Sequence, residues 1–286
     1  MNVVEHNDWT EIITPKAQLF DLKLKELWRY RDLLVLFIKR DFAAQYKQTV
    51  LGPVWHFIQP ILTTAMFVIL FNRIARISTG ELPPVLFYMS GITIWNYFSS
   101  CFIGTSNTFI ANAGIFGKVY FPRLILPLSL VCSNIIRFGI QLLLLVIVII
   151  FYYIKGVFAV SIGIHTLLLP LILLAMGLFG LGAGIIISSL TTKYRDLNVL
   201  ISFGVQLLMY ATPVAIPSSY IEKSSYKFLF YANPLTPLIE AFRYSILGAG
   251  HLNIPLFIYS CAFAVLVLLI GMFLFSKVEK SFMDTV

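Results

Sequence analysis

Carboxylates are nearly absent from the middle of this chain: between Asp41 and Asp196 the only Asp or Glu is Glu81. Charged residues make up 12% of the 286 positions and hydrophobic ones 59%. That is about half the charge of a soluble domain, so the chain is an integral membrane protein. Crossing the hydrocarbon core takes about 20 mostly apolar residues, and six stretches qualify: 53–74, 84–108, 126–154, 165–190, 198–217 and 254–276. They use half the chain or more and leave no room for a soluble catalytic domain. None contains Asp or Glu, which argues against an ion-coupled flippase or carrier, because such proteins keep carboxylates near the membrane centre. Cys101, Cys132 and Cys261 lie in apolar segments at unrelated spacings, and His6, His56, His165 and His251 are scattered. Neither a disulfide framework nor a metal site is indicated. No paired carboxylates or histidines stand near a membrane boundary, which argues against an embedded glycosyl or acyl transferase.

What charge there is has a direction. The first 30 residues hold Asp8, Glu11, Lys16, Asp21, Lys23, Lys25 and Glu26 without an apolar core, so no cleavable signal is expected ahead of the spans. Counted by alternate sides of the six spans, fourteen Lys and Arg fall with the two termini and six on the other side, with Arg137 inside the third span. Positive-inside bias then places both termini in the cytoplasm. The basic excess is topological and is not read as a nucleic-acid surface.

Residues 27–47 contain the apolar run "LLVLFI", too short to span. At ~100° per residue Leu27, Tyr30, Leu33, Leu34, Phe37, Ile38 and Phe42 share one side, while Arg29, Asp32, Lys39, Arg40 and Lys47 face away. This pattern predicts a helix lying in the membrane surface. Asp41 on the apolar side and Leu36 on the polar side break the pattern, which suits a helix that touches another protein. Gly52 and Pro53 then turn the chain into the first span. The organisation expected is a cytoplasmic N-terminal segment, 1–52, followed by a six-helix transmembrane domain, 53–286.

The entry stretch "RDFAAQYKQTVLGPVWHFIQP" (40–60) resembles the signature of type-2 ABC permeases that export polysaccharides. Three later stretches fit the same pattern: "FPRLILPL" (121–128), "KYRDLNVLISFGVQLLMYATPVAIP" (193–217) and "NPLTPLIEAFRYSILG" (233–248). The family often has Arg before the Tyr-Lys pair, where this chain has Gln45, so no phosphate contact is carried over there. The resemblance implies an all-α membrane fold with six transmembrane helices, an N-terminal amphipathic interface helix and short re-entrant helices before the last span. It also implies a homodimer in the bacterial inner membrane, seated on two ATPase subunits that bind ATP and Mg, with this chain holding no cofactor. The cargo implied is a lipid-linked polysaccharide; O-antigen of lipopolysaccharide is the first expectation, and capsule or teichoic acid the alternatives. The chain's own nearest approach to a nucleotide loop, "GIFGKV" (114–119), has Asn112 where a P-loop needs its first Gly and Val119 where it needs Ser or Thr.

By the same resemblance the connection "ANAGIFGKVYFPRLILP" forms a coupling helix that docks into the ATPase, with Phe116 or Tyr120 as an aromatic knob and Lys118 and Arg123 for orientation. Arg40 and Asp41 of the entry motif, and Arg195 and Asp196 of the "KYRD" loop, are further candidates for that contact. In the second span Tyr88, Trp95, Phe98, Phe102 and Phe109 fall within about 80° of one helix face. Sugar rings stack on aromatic faces, so the stripe is a candidate glycan channel; helix packing is the alternative. Asn96, Ser99 and Thr105 make a wholly lipid-exposed helix less expected. Arg137, with Ser133, Asn134 and Gln141, forms a polar strip on the third span, suited to a lipid or substrate phosphate. A helix over 124–154 is ~45 Å long, which also allows Arg137 to snorkel towards lipid phosphates. The "FGLGAG" run around Gly180 and Gly184 predicts close helix packing. Residues 218–253 divide at Pro234 and Pro237 into pieces too short to span, predicting re-entrant or interfacial helices.

Overall fold

The computed structural model describes residues 24–46, 52–116, 118, 119, 121–159, 163–191, 197–221, 227–250 and 252–282, and among them every regular element is helical. The "KYRD" loop with Arg195 and Asp196, and Tyr120 of the connection before the third span, lie outside the described residues. Helices α1 (Leu24–Arg29) and α2 (Arg31–Tyr46) break at Tyr30. The chain re-enters through a 3-10 turn, Gly52–Val54, in which Gly52 takes φ +46°, a value that disfavours any side chain.

Helix α3 (Trp55–Phe67) continues into a π-helical turn, Val68–Ile74. Four helical stretches are long and apolar enough to cross a membrane: Trp55–Ile74, Ile125–Ile154, Ile164–Thr191 and Ile254–Ser276. The remaining two expected spans differ from these for separate reasons. Helix α4 (Pro84–Ser106) has 23 residues, ~34 Å, but carries Ser90, Thr93, Asn96, Ser99 and Ser100, and almost its whole circumference is buried in protein. A helix wrapped by other helices needs no apolar outer face. Short helices α5 (Thr108–Ala111) and α6 (Ala113–Phe116) then lead to α7 (Ile125–Ile154), and α8 (Leu169–Thr191) follows. Helix α9 (Leu197–Tyr210) has 14 residues and ends in a run of turns at 211–216.

Glycine sets the spacing at the centre. A methyl group on Gly180 would lie 2.8 Å from Cys101 Cβ, and on Gly184 2.5 Å from Thr105 Cβ, so α8 lies directly on α4. On its opposite face a methyl on Gly182 would lie 2.6 Å from Leu268 Cα of α13 (Ile254–Phe282). Helix α8 is therefore clamped between α4 and α13 at backbone distance, as small residues permit in membrane helices. Among the described residues, α10 (Ser218–Ile221), α11 (Lys227–Ala232) and α12 (Leu235–Leu247) lie between α9 and α13, and each is too short to cross. Arg243 of α12 is buried, lies 3.8 Å over the Phe87 ring, and donates to the carbonyls of Pro213 (2.8 Å) and Phe87 (3.4 Å). Burial lowers its pKa to about 10, with the charge of Glu240 opposing the shift, so it stays cationic at neutral pH.

Candidate functional site

Two polar arrangements occupy the half of the bundle that carries α2. The first is a groove between α3, α4 and α7. Asn134, Arg137 and Gln141 sit at helical spacings of three and four on α7; Asn96, Ser99 and Ser100 do the same on α4; His56 and Gln59 come from the first turns of α3. Together they line a cavity of about 200 Å³. Asn134 accepts a hydrogen bond from Arg137 (2.9 Å) and points its amide at Cys101 Sγ (3.7 Å), while Asn96 donates to Gln141 Oε1 (3.3 Å). Amides and hydroxyls dominate, with one fixed cation. That chemistry suits a polyhydroxylated ligand, because amides offer donors and acceptors together.

His56 also tells how deep Arg137 lies. It belongs to the first turn of the first span, yet it lines the same cavity as Arg137. Arg137 is ~18 Å along α7, so the first turns of α7 extend beyond the start of α3. The cation therefore sits level with the first turns of α3. Ser133, Asn134 and Gln141 flank it as the sequence pattern suggested; His56, Gln59 and Ser100 were not anticipated. For His56 and Gln59 the only signal was the i, i+3 pair in "HFIQ" at the start of an apolar run.

The aromatic stripe occupies a different face of α4, roughly a third of a turn from the groove. Tyr88, Trp95, Phe98 and Phe109 are buried and Phe102 is half-buried. Tyr88 meets Phe67 and Phe71, Phe98 meets Trp95, Phe102 and Phe179, and Phe109 stacks on Phe275 of α13. In this chain the stripe is in ring contact with α3, α8 and α13.

The second arrangement joins the coupling candidates. Phe37 of α2 packs with Phe121, Ile125 and Leu126 at the start of α7, its ring 5.7 Å from that of Phe121. Leu27, Tyr30, Leu33 and Leu34, the predicted apolar side, surround this cluster together with Ile115. The Arg40 guanidinium lies 4.7 Å over the Phe37 ring and pairs with Asp41 at 2.7 Å. Asp41 Oδ2 is buried without a hydrogen-bond partner among the described residues, Leu36 is exposed, and Arg123 is buried nearby in sequence, two residues beyond Phe121. Asp41 thus borders this small core through Arg40, while Leu36 stays outside it. Lys118 is exposed in the connection beside it; the Phe116 side chain lies outside the described residues.

A family model described as "ABC-2 type transporter" matches residues 32–247. Among curated proteins, the chain is 27% identical to an O-antigen export system permease protein RfbA of Klebsiella pneumoniae, covering 88% of this chain and 94% of that one. A second protein of that name from Klebsiella pneumoniae is 29% identical over the same shares, and one from Myxococcus xanthus is 29% identical over 77% of this chain and 82% of its own length. The matched region runs from the surface helix α2 through the groove to the end of α12, and the chain belongs to the ABC-2 type transporter family.

Proposed function

We propose that this chain is the membrane permease of a bacterial inner-membrane exporter for O-antigen linked to lipid, driven by two separate ATPase subunits. The observation that carries the reading is the similarity, over nearly the full length, to permeases named for O-antigen export. The groove supports it: amides and hydroxyls suit sugar hydroxyls, and Arg137 at the mouth suits a lipid-linked phosphate. A cavity of about 200 Å³ is small beside drug-sized sites of ~300–1,000 Å³. One protomer holds at most a sugar unit, and a continuous path needs a second copy facing it, hence a homodimer. In this reading α4 and α9 complete six spans, α10 to α12 are re-entrant, both termini are cytoplasmic, and the ATPase docks at the connection carrying Lys118. The glycan follows the groove, and the aromatic stripe braces α4 behind it.

Deleting the gene and complementing it tests this directly. Cells without the permease are expected to lose surface O-antigen and retain polymer inside, and the wild-type gene to restore it. Normal surface O-antigen in the deletion would refute the reading. Arg137→Gln is expected to lower export at unchanged permease abundance, with Arg137→Lys retaining more activity than Gln.

A further inference from the structure

The opposite end of the bundle holds a larger cavity, about 570 Å³, that shares no lining residue with the groove. Its wall includes Glu81, the one carboxylate of the chain's long acid-poor middle, from the loop after α3. Glu240 and Arg243 enter from α12, Ser218 from α10, and the rings of Phe87 and Phe158 from the start of α4 and the loop after α7. Among the described lining residues, two carboxylates stand against one guanidinium, a net negative balance that disfavours a phosphate or an anionic headgroup. The guanidinium is already committed to the Pro213 and Phe87 carbonyls, while its Nε is buried without a hydrogen-bond partner among the described residues. Buried donors left unpaired are costly and are usually met by a ligand or water. Carboxylates accept from neighbouring hydroxyls, and aromatic faces pack on C–H surfaces.

We propose that this cavity is a binding site for a short segment of neutral, hydroxyl-rich glycan, which it holds at the exit after passage through the membrane. The assignment rests on the export reading and on the orientation that places this end outside the cytoplasm. Glu81 and Glu240 accept sugar hydroxyls, Phe87 and Phe158 flank the ring faces, and Arg243 fixes the wall by tying α12 to α4. At 570 Å³ the volume falls within the range of small-ligand sites, ~300–1,000 Å³.

The test uses the permease–ATPase complex in nanodiscs and, as probe, the O-polysaccharide released from the host strain's lipopolysaccharide by mild acid, with affinity read by saturation-transfer NMR titration. E81Q/E240Q removes both anionic acceptors at nearly constant shape, and A159W narrows the mouth from an exposed loop position. Each is expected to weaken binding roughly tenfold or more, while L36A, at an exposed position of α2 away from both cavities, leaves it within threefold. No binding by the wild type, unchanged affinity in both cavity variants, or displacement of the polysaccharide by inorganic phosphate would overturn the site. None of those results bears on the deletion phenotype, which tests the export reading separately.

Discussion

Replacing Phe37 by Ala is expected to release α2 from α7 without unfolding the bundle. Phe37 is 5% exposed, whereas the other apolar residues of α2 are half-buried or exposed, so one ring supplies the anchor. Losing it removes about 1.5–3 kcal/mol of apolar burial and about 0.5–1.5 kcal/mol of ring pairing with Phe121. The cation–π contact of Arg40 goes as well. A total of roughly 2–4 kcal/mol corresponds to about a thirtyfold to several hundredfold rise in the undocked population. Amide hydrogen exchange in nanodiscs reads this directly, as an equal loss of protection across α2 with the exchange of α4 and α8 unchanged. Phe37→Leu keeps most of the apolar area and is expected to lose less than tenfold. Leu36→Ala, at a position 58% exposed, is expected to change nothing. Protection of α2 within threefold of wild type in Phe37→Ala would refute the anchoring argument.

Two further comparisons separate packing from passage. Gly184→Ala places a methyl 2.5 Å from Thr105 Cβ and should lower the thermal midpoint of the purified permease through overpacking of about 1–3 kcal/mol, whereas Gly139→Ala, with nothing within 4 Å, should not. Equal midpoints would show that α8 and α4 do not meet at backbone distance. Phe98→Leu is expected to export normally and Phe98→Ala to lose about 3–5 kcal/mol of stability. Slow export by the Leu variant at normal abundance would return the stripe to the channel.

The helical membrane class, a helix ahead of the first span and the glycine packing were legible because each depends on a local pattern. Apolar length sets the spans, ~100° spacing places Phe37 inward and Leu36 outward, and Gly180 and Gly184 mark where two backbones approach. Periodicity found the aromatic stripe on α4 but could not say what it faces. An inward stripe and a channel stripe have the same spacing; the ring contacts with Phe179 and Phe275 come from other helices, which periodicity does not see. The groove was half legible for a similar reason. Asn134, Arg137 and Gln141 announce themselves as polar residues in an apolar helix, whereas His56 and Gln59 sit in an entry segment already rich in polar groups.

Asp41 shows how a local blemish acquires meaning through tertiary structure. On α2 alone it is a charge on the wrong side, and its burial would be costly. In the fold it is paired with Arg40, which is itself held over the Phe37 ring, and that ring closes on Phe121 and Ile125. The same helix α7 that begins in this cluster carries Asn134, Arg137 and Gln141 of the groove three turns further on. Close-packed interiors transmit displacement because they yield little to compression. A push on the connection between α6 and α7 is therefore expected to move α2 and the groove cation together. Arg40 and Asp41 border this unit, in which Phe37 fixes α2 to α7, a span that reaches both the connection and the groove.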